Sequence, residues 1–145
     1  MSASDHDRKK NTPKQPLETM SPRHSLLALR GPSKGNTTLV PPSVMASLRA
    51  DIAAINRGEG VKQGNRFTIN GRTYVQKDGG TFYPAVGPGL IGPLDRGTHN
   101  ALLVMKAHGG LTEAARFRLE KEGTSDDQLH LAERIWLLRE REMTQ

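Results

Sequence analysis

Histidines and carboxylates are where acid–base or metal chemistry would begin, and the five histidines of this chain are His6, His24, His99, His108 and His130. A helix brings two metal ligands to one face at a spacing of i, i+4 or in a His-Glu-x-x-His frame. No two of these histidines stand four apart, and none sits in such a frame. The acidic pair Asp126-Asp127 occupies the place of charge that favours a helix start. A general acid–base pair built from distant residues, such as Glu113 with His99, is left open by the sequence alone. The absence of cysteine excludes thiolate nucleophiles, disulfides and cysteine-based zinc sites. There is no Gly-x-Ser-x-Gly elbow. The loop "GPGLIGPLDRG" lacks the Lys-Ser/Thr of a phosphate-binding loop, and its prolines remove N–H donors, so it reads as a rigid connector. The expectation is a protein that is not an enzyme, with no catalytic residue, cofactor or metal.

The stretch Gln63-Gly64-Asn65-Arg66-Phe67 can be the start of a β-hairpin or a short motif for another protein's groove. Charge narrows the partner. The formal net charge is +6, but residues 1–35 hold seven Lys or Arg against three acids, a net +4 that leaves +2 for the rest. A charged tail of this kind improves solubility and nonspecific encounter rather than forming a footprint for nucleic acid. Nowhere do eighteen apolar residues run together, and no apolar segment follows the charged N-terminus. The expected location is the cytoplasm.

The elements that would position the stretch follow from composition and period. Residues 1–42 are polar, basic and broken by six prolines, with "LLAL" at Leu26 to Leu29 as their one apolar cluster. The expectation is a disordered basic N-terminal arm, with "LLAL" able to dock on the domain or a partner, followed by a compact domain over 43–145. "PPSVMASLRADIAAINRG" predicts a helix with Ser43 as N-cap, Gly58 as stop and Val44, Leu48, Ile52 and Ile55 on its buried stripe, with Asp51 off it. "RFTI", "NG" and "RTYV" predict a hairpin with a type I′ loop at Asn70-Gly71, which pairs Ile69 with Arg72, Thr68 with Thr73 and Phe67 with Tyr74. "KDGG" turns the chain into "TFYPAV", completing a three-stranded meander whose last strand Pro84 confines to an edge. Three helices follow. The first is stopped by Gly109-Gly110, the second is capped by Thr112, and the third carries a Ser125/Gln128 capping box with Leu129, Ala132, Ile135, Trp136 and Leu138 inward. The fold class is α+β: a small antiparallel β-meander with a preceding helix and a three-helix C-terminal segment.

The pentapeptide resembles the glutamine-led motif with an apolar end by which many bacterial proteins dock on the replicative sliding clamp. With "GRTYV", "FYPAVGPG" and "LDRG", the whole chain resembles the SocB family of replication-inhibitor toxins, the toxin half of an atypical toxin–antitoxin pair. The resemblance implies binding to the β sliding clamp of DNA polymerase III through Gln63, Gly64, Asn65, Arg66 and Phe67, competition with other clamp clients, and blocked replication. It also implies a cognate antitoxin that acts as a proteolytic adaptor to a ClpXP-type protease, with no membrane and no sequence-specific nucleic acid as partner. Arg66 stands where the motif usually carries an aliphatic residue, so one of its two apolar anchors is either missing or replaced by Ile69 as a second contact, and Phe67 is claimed both by the pocket of the clamp and by the hairpin. Gln128-Leu129-His130-Leu131 is a rival match on a helical stripe. The alternatives are a helix-turn-helix DNA-binding regulator, against which the last helix sets five acids and three arginines between Asp126 and Glu142, and an enzymatic, nuclease-type toxin.

Overall fold

The computed structural model describes residues 24–30 and 37–144. Its architecture is α+β, with strand β1 (Thr37–Leu39), helix α1 (Met45–Asn56), strands β2 (Val61–Gln63), β3 (Arg66–Ile69), β4 (Arg72–Gln76), β5 (Phe82–Val86) and β6 (Ile91–Leu94), and helices α2 (Arg96–His108), α3 (Glu113–Lys121) and α4 (Asp126–Met143). The described chain forms two compact units. One spans residues 43–90, and the other joins 24–30 and 37–42 to 91–144. The span 43–145, expected as one compact domain, divides between these two units.

In the first unit the Asn-Gly loop forms as its residue types require. Asn70 and Gly71 have φ of 52° and 79°, the positive pair of a type I′ turn. The register is Ile69 to Arg72, Thr68 to Thr73 and Phe67 to Tyr74. The meander has four strands in the order β2-β3-β4-β5, one more than expected, and Pro84 lies on edge strand β5. The added strand arises because Gly64-Asn65 is itself a two-residue loop, with Gln63 facing Arg66 across it. Phe67, Tyr74 and Phe82 from the sheet and Leu48, Ile52 and Ile55 from α1 are all buried. The Phe67 and Phe82 rings meet edge to face, 5.5 Å apart at 75°. A 3₁₀ turn, Pro42–Val44, precedes α1 and contains Ser43, so Ser43 is not the N-cap; that position falls to Val44, which makes no side-chain cap bond. The two ends of the unit meet: a Cβ at Gly89 would lie 2.7 Å from Val44 Cγ1.

The second unit is built on three helices whose starts are capped by side chains. Asp95, Thr112 and Ser125 accept from the backbone N–H of Thr98, Ala115 and Gln128, and the Ser125/Gln128 capping box is complete. Leu102, Met105, Leu119, Leu129, Ala132, Ile135 and Trp136 form the core, while Leu138 is half-buried. Two segments expected elsewhere belong here. The "connector" contains β6, which pairs antiparallel with β1, Thr37 opposite Leu94 and Leu39 opposite Ile91.

The arm expected to be disordered over 1–42 is corrected in its described parts. Thr37 to Val40 are buried, and Leu26 and Leu29 lie in the helical core, where each contributes about 1.5–3 kcal/mol by burial. The "LLAL" turn is held by side chains from α2 and α4. Arg139 Nη2 donates to the Leu27 carbonyl at 2.9 Å, Lys106 Nζ donates to Ala28 O and Leu29 O, and His99 Nε2 donates to Arg30 O at 2.9 Å. These donors satisfy carbonyls that a single helical turn leaves open. Residues 1–23 and 31–36 of the arm lie outside the described residues.

Candidate functional site

A β-turn of type II′ requires positive φ at its first central residue, and Gly64 supplies it at 64°. The Gln63 stretch is therefore the tip of the β2–β3 hairpin. Strand alternation then sorts its residues between two faces. Val61 and Gln63 on β2 face the same way as Arg66 and Thr68 on β3, because Val61 pairs with Thr68 and Gln63 with Arg66. All four are exposed, as are Gly64 and Asn65. Phe67 points to the other face, onto α1, and is 1 % exposed.

Of the two claims on Phe67, the hairpin therefore holds the ring, and the expectation that it also fills a pocket of the clamp is corrected. In a half-buried strand one residue's shift inverts the whole face, and Phe67 shares its face with Tyr74. Ile69, named as a second contact, lies on the core side and is half-buried. The structure brings Gln63, Gly64, Asn65 and Arg66 together at an accessible tip and withholds Phe67. The rival Gln128 stretch is committed to its helix. Gln128 serves the capping box and donates from Nε2 to Asp95 at 3.2 Å, and Leu129 is buried.

A second loop meets the tip at the same end of the sheet. Lys77 N–H donates to Thr81 O and Gly80 N–H to Lys77 O, folding Lys77 to Gly80 into the turn before β5, and Gln76 N–H donates to Asn65 O at 2.8 Å. Between the turns lies a cavity of about 690 Å³, lined by Lys62, by Gly64 and Asn65 of one turn, and by Gln76 to Asp78 and Gly80 of the other. The Lys62 ammonium sits over the Phe67 ring at 5.8 Å and that of Lys77 over the Tyr83 ring at 5.4 Å. Sequence reading singled out neither lysine. The signal was the pair of turns, "QGNR" and "KDGG", which a four-stranded meander places at one end.

The unit also contains a polar knot that sequence reading missed. Asp51, 2 % exposed, accepts from Asn70 Nδ2 at 2.7 Å, Arg72 Nη1 at 3.0 Å and Tyr74 Oη at 2.5 Å. Burial, then the Asp51 carboxylate, push the Tyr74 hydroxyl well above the usual tyrosine range. Tyr74 is fully buried, so the knot fastens α1 to the hairpin and offers no substrate a path. The Glu113 and His99 pair is not assembled: His99 is buried on Arg30 O, its Nδ1 has no hydrogen-bond partner among the described residues, and Glu113 is exposed at the start of α3. Among the described residues no group of three metal-ligating side chains converges, and no helix is long and apolar enough to cross a membrane. Comparison with family models, curated proteins and solved structures finds no match to this chain.

Proposed function

We propose that this chain is a toxin-type binding protein that acts by occupancy, engaging the bacterial β sliding clamp through the Gln63 hairpin tip and blocking replication by displacing other clients. The observation that carries this reading is the presentation of Gln63: it is exposed on an edge strand, in extended backbone, two residues from Val61, which is 58 % exposed on the same face. A glutamine with one apolar neighbour in an extended strand is what a rim-and-cleft pocket reads, and it is available without unfolding. Val61 takes the anchoring role that the motif gives to its terminal residue, because Phe67 belongs to the core. Arg66 and Asn65 supply the polar border. Competition by occupancy needs no turnover, and micromolar affinity, about −8 kcal/mol, suffices when the protein is abundant. Removal by a cognate antitoxin that delivers the chain to a ClpXP-type protease is the matching form of control, since an occupant is neutralised by destroying it.

The test is direct binding of the purified chain to the β clamp by calorimetry, with circular dichroism on each variant. Wild type is expected to saturate at micromolar concentration, and Gln63→Ala and Val61→Ala to weaken binding at least tenfold while remaining folded. A folded wild-type chain that does not bind the clamp rejects the proposal. Salt-sensitive DNA binding in its place would point to the helix-turn-helix alternative.

A further inference from the structure

The register of the meander decides what its outer face carries. Directly paired residues of neighbouring strands point the same way, and Val61 pairs with Thr68, Thr68 with Thr73 and Thr73 with Val86. One row of four β-branched side chains therefore crosses the whole sheet, on the face opposite Phe67 and Tyr74, and reads Val-Thr-Thr-Val from either end. Val61 and Val86, at those ends, are 58 % and 48 % exposed, and they are the two large apolar side chains exposed among the described residues of this unit. Between them the hydroxyls of Thr68 and Thr73 hydrogen-bond to each other at 3.2 Å, which lowers the cost of taking the middle of the row out of water. In the next row Arg66 stands opposite Val75, and Arg66 is the one charge that the two rows hold.

We propose that this face is a self-association surface, on which a second copy of the chain stacks its own outer face about a two-fold axis running along the strands. The pattern of the row argues for that occupant. The sheet order is β2-β3-β4-β5, so such an axis lays β2 of one copy over β5 of the other and β3 over β4. Val61 then meets Val86 and Thr68 meets Thr73, at both ends of the row at once. The same turn sets Arg66 over Val75 instead of over a second Arg66, so like charges do not face each other. Closed two-fold pairs that use one patch twice are the commonest oligomers, and stacked sheets lie about 10 Å apart with their strands within about 30°. The patch is smaller than a standard interface of about 800 Å² per partner, so the dimer is reversible, with a dissociation constant on the order of 100 µM. A further consequence rests on the clamp reading: the dimer covers Val61 and Gln63, so a second copy and the clamp compete for one face.

The experiment is sedimentation equilibrium of the full chain, from about tenfold below to about tenfold above that constant. Wild type is expected to pass from monomer to dimer across the range. Val61→Lys and Val86→Lys are each expected to weaken the dimer at least about tenfold with unchanged circular dichroism, whereas Leu137→Lys, at an exposed apolar residue of the other unit, leaves it intact. The pairing is read with a short bismaleimide on a mixture of Val61→Cys and Val86→Cys chains, whose introduced thiols are the only ones because the sequence has no cysteine. Crosslinked dimer is expected in the mixture and not in either chain alone. A wild-type chain that stays monomeric throughout, a dimer dissolved by Leu137→Lys and not by Val86→Lys, or equal crosslinking in one chain alone would overturn the proposal. Clamp binding is measured on Val86→Lys, which keeps Val61 and Gln63. If the clamp binds and wild type never dimerises, the self-association inference fails alone. If wild type dimerises through Val86 and the clamp does not bind, the clamp reading fails alone.

Discussion

Phe67→Ala separates the two claims on that residue. The side chain is 1 % exposed, packs edge to face on Phe82 at 5.5 Å and stands opposite Tyr74 in the register. Truncating a buried phenylalanine costs about 3–5 kcal/mol, within which the ring pair accounts for about 0.5–1.5 kcal/mol. Whole domains are stable by only about 5–15 kcal/mol, so the meander would lose much of its margin. At about 1.4 kcal/mol per factor of ten, the loss lowers amide-exchange protection in β3 and β4 by at least a hundredfold. Exchange is the right assay because the single tryptophan, Trp136, lies in the other unit and its emission follows that unit. Gln63→Ala, an exposed substitution, is expected to leave protection within about 0.5 kcal/mol of wild type. Protection in Phe67→Ala within threefold of wild type would refute the burial of this ring and return it to the docking surface. Loss of clamp binding in Phe67→Ala therefore reports on folding, whereas loss in Gln63→Ala reports on contact.

Three further outcomes follow from the same geometry. Asp51→Ala strands the donors of Asn70, Arg72 and Tyr74 and is expected to cost about 3 kcal/mol, the lower end for breaking a buried pair because Arg72 is 13 % exposed and can turn to water; urea titration followed by exchange in β3 and β4 checks this. The raised Tyr74 pKa means that, above about pH 10, the unfolded chain ionises this group while the folded chain does not. Stability is therefore level below that pH and falls above it by up to about 1.4 kcal/mol per pH unit, a slope that Tyr74→Phe is expected to lack in alkaline denaturation. The Thr98 N–H holds the Asp95 carboxyl below its ordinary range, so its stabilising charge is present above about pH 4 and is lost as pH falls through the lower folded pKa. Asp95→Ala is expected to cost about 1 kcal/mol near neutrality, with the gap narrowing below pH 4, read by Trp136 emission.

Local signals were legible and distant ones were not. Asn70-Gly71 fixes its own loop and, through it, the pairing of Phe67 with Tyr74, because a two-residue turn leaves one register. Thr112 and the Ser125/Gln128 box name their helix starts for the same reason. Gly64-Asn65 is an equally local signal, hidden because its residues also match a docking motif; the inward side of Phe67 in the alternating run "RFTI" resolves the conflict. Thr37 to Val40 gave no warning of a strand, since its partner Leu94 and neighbour Ser25 are brought to it only by tertiary folding. Asp51 looked like a solvated helix charge because its three donors lie beyond the next two strands' start in sequence. The tip's four accessible residues were named from sequence. Lys62, Lys77 and the cavity they border emerge only when two separate turns share one end of a sheet.

The meeting of Gly89 with Val44 makes residues 43–90 an insertion whose entrance and exit are one doorway. The β1–β6 ladder must close a ring around the whole of that segment, and ring closure grows dearer only with the logarithm of length, about 0.6 kcal/mol per doubling. A meander that folds first shortens the ring to its doorway, so the helices then collapse as if joined by a brief loop. The closure cost favours the order module before frame, which pulse-labelled exchange during refolding would show as protection of β3 and β4 ahead of the helices. Replacing residues 45–88 with a short Gly-Ser bridge should leave the frame able to fold, and the excised module could be exchanged for another without rewriting the helices that carry it.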